Sequence, residues 1–119
     1  MSLPLTSDNL KAAYEYLRGT PPYRSWDLPH GEAVRFRVTR HKDREGDHNV
    51  DEKGRHVIRV SARVIGGTNT LMVVMAHEML HIRQEMQGVR AAHNADFYKL
   101  AARVCRYHCW DAKQFVGAL

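Results

Sequence analysis

The sequence predicts an α+β domain: an N-terminal helix, a small antiparallel sheet of two to three strands, a long central helix and a C-terminal helix. Three observations carry this. Apolar residues recur at helical spacing near both ends of the chain, two segments in its middle alternate apolar with polar residues, and an apolar run, Leu71–Ala76, leads directly into His-Glu-Met-Leu-His. At 119 residues the chain is long enough for one core, so residues 1–119 are read as one domain.

The first helix is expected over Ser7–Arg18. Thr6-Ser7-Asp8 supplies a start signal, Leu10, Ala13, Tyr14 and Leu17 form its stripe, and Gly19-Thr20-Pro21-Pro22 stops it. Residues 21–31 read as a loop, with Trp26 and Leu28 as anchors on the core. Val34, Phe36 and Val38 alternate with Arg35, Arg37 and Thr39, predicting a strand at about 33–40. A second strand is expected over 56–64, with Ile58, Val60, Ala62 and Val64 on one face. The polar stretch between them leaves room for a short strand around 48–51, and His41, His48 and His56 read there as solvated histidines. One sheet face would then be apolar and the other would carry Arg35, Arg37, Arg59 and Arg63. Thr68 or Asn69 is the expected N-cap of the central helix, which runs to about Gln87 and ends at Gly88. The last helix is expected over 95–110, burying Phe97, Leu100, Ala101, Val104 and Cys105.

Composition narrows the function classes. The longest apolar run falls far short of the ~20 residues of a membrane helix, so no membrane association is expected. The N-terminus shows no secretory pattern and two cysteines make no disulfide framework, so the expectation is a cytoplasmic domain. A net charge of +5 makes weak DNA binding through the basic sheet face conceivable. Eight histidines are the more telling excess, because imidazole is the commonest metal ligand.

Two of them stand in residues 77–81. On an α-helix His77 and His81 lie about 40° apart on one face, so both can bind a single Zn²⁺. Glu78 is beside them, placed to take a proton from an attacking water rather than to serve as a ligand. A catalytic zinc site needs a third protein ligand. Gln87 stands ten residues after His77, which excludes the metzincin spacing, and no Glu follows Glu85. His93, Asp96 and His108 remain. Geometry favours His93: the helix covers ~9 Å from His81 to Gln87, and residues 88–93 span up to ~20 Å, enough to return to the site.

The run Ile58-Arg59-Val60-Ser61-Ala62-Arg63-Val64, then Ala76-His77-Glu78-Met79-Leu80-His81, then His93-Asn94-Ala95-Asp96-Phe97, resembles the SprT-like/Spartan zinc metallopeptidases. These are minimal gluzincin-type domains of zincin-like fold. Their pattern is a strand ending in Ser, an HExxH helix, and a third His followed four residues later by Phe. The likeness spans roughly residues 8–107. It implies that His77, His81 and His93 hold zinc and that Glu78 is catalytic. Many members add a four-cysteine zinc ribbon or DNA-binding extensions, whereas this chain has only Cys105 and Cys109.

Two functions follow as expectations. One is a Zn²⁺-dependent endopeptidase acting on protein or peptide substrates, with Glu78 as general base and an edge strand near residues 55–61 aligning an extended peptide. The other is a non-enzymatic basic module that holds zinc and docks on nucleic acid. Glu78 favours the first, since a structural site needs four closed ligands and no adjacent base. Tyr98, Arg103 and Tyr107 are candidates for stabilising an oxyanion.

Overall fold

The computed structural model of the protein describes residues 5–63 and 67–117. Its elements run α1 (Ser7–Arg18), β1 (Arg35–Thr39), β2 (Gly46–Val50), β3 (His56–Ser61), α2 (Thr68–Met86), α3 (Ala95–His108) and α4 (Ala112–Val116), with two short 3₁₀ turns between α1 and β1. The expected α+β order holds.

Helix α1 begins where its sequence specifies. The Thr6 hydroxyl accepts from the Asn9 amide, and the Asn9 side chain accepts from the Thr6 amide in return, so two otherwise orphaned donors are satisfied. Leu10, Ala13, Tyr14 and Leu17 are buried, and the Tyr14 ring packs on Phe36 of β1 with centroids 5.4 Å apart. Trp26 and Leu28 anchor the following loop in the core as expected. Within that loop the Tyr23 hydroxyl donates to the Ala76 carbonyl at 2.7 Å, tying it to the middle of α2.

The sheet is mixed, not antiparallel. Its order is β1-β3-β2, with β1 parallel to β3 (Phe36 opposite Ile58) and β2 antiparallel to β3 (His48 opposite Ile58). Burial explains the difference. Val57, Ile58, Val60 and Ser61 of β3 are buried on both faces, whereas β1 and β2 are each partly exposed. A strand buried on both faces belongs in the centre of a sheet. The edges are therefore β1 and β2, and the segment at residues 55–61 is not the edge strand its sequence suggested. Strand β3 stops at Ser61, and Val64 lies outside the described residues.

Helix α2 lies across the sheet, flanked by α1, α3 and α4. It is wrapped on nearly every side, which is why its sequence is apolar all round rather than striped. Its N-terminus departs from expectation: Gly67 is the cap residue, and neither Thr68 nor Asn69 caps it by side chain. Gly88, at φ +72°, ends it as expected. The last expected helix is α3, two residues shorter than read, and a further short helix follows that the sequence did not suggest. Helix α3 stops at His108, Cys109 turns into the left-handed conformation, and α4 folds back with Phe115 fully buried. No helix among the described residues is long and apolar enough to cross a membrane.

Candidate metal centre

His77, His81 and His93 converge. One nitrogen from each lies within 4.8 Å of the others, a group able to hold a metal ion. His77 and His81 come from successive turns of α2, and His93 from the loop that Gly88 turns back toward it. The Nε2 atoms of His77 and His93 are 3.1 Å apart. Two nitrogens bound at ~2.0–2.1 Å to a tetrahedral ion would be about 3.3 Å apart, so the spacing fits with almost no movement.

Two of the three rings have their tautomers fixed by neighbours. His77 Nδ1 is 2.9 Å from the Phe115 carbonyl oxygen, which can only accept, so Nδ1 carries the proton and Nε2 keeps its lone pair for a metal. His81 Nδ1 is 2.8 Å from Gln84 Oε1. The Gln84 amide nitrogen donates to the Ala92 carbonyl and to Asn94 Oδ1, each at 3.1 Å. That fixes Oε1 as the acceptor, so His81 donates through Nδ1 and presents Nε2. Gln84 thus orients one of the three imidazoles and pins the loop that carries another. Asn94 Oδ1 also accepts from the Phe97 amide and caps α3, so the start of α3 is registered to the same network.

Phe97 forms the floor. Its ring stacks on His81 at 5.1 Å between centroids and packs at 4.6 Å and 5.0 Å from His93 and His77. Burial holds all three histidines below the ordinary imidazole pKa, His77 down to about 3, so they are neutral at pH 7, the form that binds metals.

Glu78 is buried beside them, and its Oε2 has no hydrogen-bond partner. Burial pushes its carboxyl up to about 8, with the Asp47 charge adding to the rise. A divalent cation at the histidines would pull that value down again. An unpaired buried carboxylate oxygen costs about 1–3 kcal/mol or more, so its presence calls for a reason beyond folding. Strand β2 approaches it closely through Gly46. A Cβ there would sit 2.8 Å from Val74 Cγ1, 3.0 Å from the Arg59 carbonyl oxygen and 3.5 Å from Glu78 Oε2. Only a glycine lets the strand run this near the carboxylate.

The other candidate residues separate from this group. Asp96 is outside the metal-holding set, though its Oδ2 is buried without a partner. His108 is engaged elsewhere, 3.2 Å from Thr20 Oγ1 and stacked on Trp110. Arg103 stands over the Trp26 ring, and Tyr107 packs beside His108. On the outer sheet face Arg35 and Arg37 are exposed, but Arg59 is held by Asp47 through two 2.7 Å hydrogen bonds, and Arg63 lies off the sheet, in the turn after β3. His48 and His56 are not solvated loop residues. They lie half-buried on β2 and β3, and the His48 ring is 6.1 Å from that of His81.

Sequence reasoning missed Gln84, Phe115 and Gly46. Gln84 had a signal: it stands three positions after a candidate ligand on the same helix, where the two side chains are neighbours. Phe115 acts through its backbone carbonyl, which no side-chain pattern announces. No protein-family model matches the chain, and neither a curated protein nor a solved structure matches it.

Proposed function

We propose that the protein is a zinc-dependent metallopeptidase of SprT-like type, with His77, His81 and His93 holding the ion and Glu78 as general base. The observation that carries this reading is the partnerless, buried Glu78 carboxylate beside three converging imidazoles, two of them locked in the metal-binding tautomer. Three ligands and a neighbouring base are the donor set of an open catalytic site rather than a closed structural one. Three imidazole ligands with one position left open are the arrangement of a catalytic Zn²⁺. When bound, zinc supplies Lewis acidity, activating water and polarising a carbonyl.

The residues of the chain do the rest. Glu78 accepts a proton from the attacking water and returns it to the leaving amine. Gly46 keeps the edge strand close over that carboxylate. An extended peptide pairs along β2, the sheet edge on the site's side, through main-chain hydrogen bonds. Phe97 and the burial of α2 keep bulk water from the far side of the ligands. His77 and His81 hold their orientation through Phe115 and Gln84.

The test is Glu78→Gln, assayed on an unfolded protein with zinc measured on the same sample. Zinc content should be unchanged, and cleavage should fall by at least ~10²–10⁴-fold, the contribution of general acid–base catalysis. A variant that keeps its zinc and cleaves at the wild-type rate removes Glu78 from the mechanism. One that loses its zinc makes Glu78 a ligand.

A further inference from the structure

We propose that His48, held in place by His56, contacts the substrate and donates a hydrogen bond to the oxygen of the carbonyl under attack. The inference rests on the peptidase reading.

Four observations lead to it. His48 lies on the edge strand at the register position opposite Ile58, on the sheet face that meets α2 and two residues beyond Gly46, which abuts Glu78. Its ring is 6.1 Å from the ring of His81, so it borders the metal centre on the side where an added peptide strand would run.

Its Nε2 is 2.9 Å from His56 Nδ1, with ring centroids 5.2 Å apart. That centroid distance is little more than the N···N distance plus the two ring radii, so the nitrogens lie on the line joining the rings. This is the geometry of a hydrogen bond. His77 and His93 differ: their nitrogens are farther apart, at 3.1 Å, while their centroids are closer, at 5.0 Å, so the lone pairs aim off the line toward a common point. His48 and His56 are therefore a hydrogen-bonded pair and not a second metal site.

Finally, among the described residues Nδ1 of His48 has no hydrogen-bond partner. An imidazole steered by one neighbour, with its second nitrogen unused beside a metal centre, suits the stabilisation of charge that develops during reaction. Of the three candidates read from the sequence, Arg103 and Tyr107 are engaged on the Trp26 and His108 side of the molecule, and Tyr98 packs edge-on against Phe97, exposed on α3. When His56 Nδ1–H donates to His48 Nε2, His48 is left with Nδ1–H to offer. His56 is thus a positioning residue.

The probe is acetohydroxamate, titrated calorimetrically into zinc-loaded protein, with zinc content measured on each sample. His48→Ala should keep its zinc and bind acetohydroxamate about ten-fold more weakly, the scale of one hydrogen bond to a charged group. His48→Asn, which restores an N–H near the Nδ1 position, should recover part of the loss, and His48→Gln should not. His56→Ala should weaken binding less than His48→Ala. In the wild type, the His48 Nδ1 resonance in a histidine ¹⁵N spectrum should shift on adding the probe, and in His56→Ala it should shift less. Unchanged affinity in His48→Ala, no binding by zinc-loaded wild type, or zinc loss in His48→Ala would each overturn the proposal. A wild-type protein that takes up no zinc would instead remove the peptidase reading beneath it.

Discussion

Replacing Gln84 with Met keeps the length and approximate volume of a fully buried side chain while deleting all its hydrogen bonds. Three are lost: one from His81 Nδ1 and two to the loop at Ala92 and Asn94. The His81 N–H is left in the core without an acceptor, costing about 1–3 kcal/mol. The two loop acceptors are half-buried and partly regain water, so each costs about 0.5–1 kcal/mol. We therefore expect the metal-free variant to be destabilised by about 2–5 kcal/mol in chemical denaturation. Because His81 is also freed to adopt the other tautomer, zinc affinity in a chelator competition should fall about 10–100-fold, the usual effect of losing a group that orients a metal ligand. Gln84→Glu should behave differently, since a carboxylate still accepts from His81 but cannot donate to Ala92 or Asn94. It should retain most of the zinc affinity while losing stability. A Gln84→Met protein with wild-type zinc affinity would refute the claim that Gln84 sets the His81 tautomer.

Other expectations follow from the same geometry. In metal-free protein, Glu78 has a folded pKa of about 8 against an ordinary 4.5, so the folded state holds the extra proton between those values. Its contribution to stability is fully present below pH 4.5 and lost as pH rises through about 8. The stability gain of Glu78→Gln over wild type should therefore grow across that window, to on the order of 3–5 kcal/mol, and a flat difference in denaturation midpoints would contradict it. His48 and His77, each held by burial down to about 3, act in the opposite sense. Their contribution is present above pH 6.5 and lost as pH falls toward 3, so metal-free protein should unfold in acid, and His77→Asn should flatten that limb. Gly46→Ala places a methyl 2.8 Å from Val74 Cγ1 and 3.0 Å from the Arg59 carbonyl. It should cost about 1–3 kcal/mol, and Val74→Ala in the same chain should recover part of that; full stability of the single variant would show that β2 can lift off α2.

The parts of the fold that are locally encoded were legible in the sequence. Helix α1 matches its expected bounds because a capping box and a Gly-Pro stop mark both ends, and the buried stripe of α3 follows from spacing alone. Sheet topology was not legible: alternation assigns faces but not neighbours, and the central place of β3 depends on burial of Val57 and Ser61 on the face read as polar. The convergence of His77, His81 and His93 was legible because two of them are four residues apart on one helix and chain reach nearly fixes the third. The shell around it was not. Phe115 contributes a backbone atom from a short helix beyond the last periodic segment, and His48 comes beside His81 only because β2 pairs on the α2 side of β3. Both are consequences of tertiary placement, which no local pattern carries.

X-ray absorption at the zinc edge of the zinc-loaded protein tests the central assignment most directly. Three imidazole nitrogens, from His77, His81 and His93, and one oxygen ligand are expected at ~2.0–2.1 Å, with the spectrum losing one imidazole in His93→Ala and unchanged in Glu78→Gln. A sulfur shell at ~2.3 Å would place Cys105 or Cys109 at the ion. That result, or a fourth imidazole in place of the oxygen, would contradict an open three-histidine site.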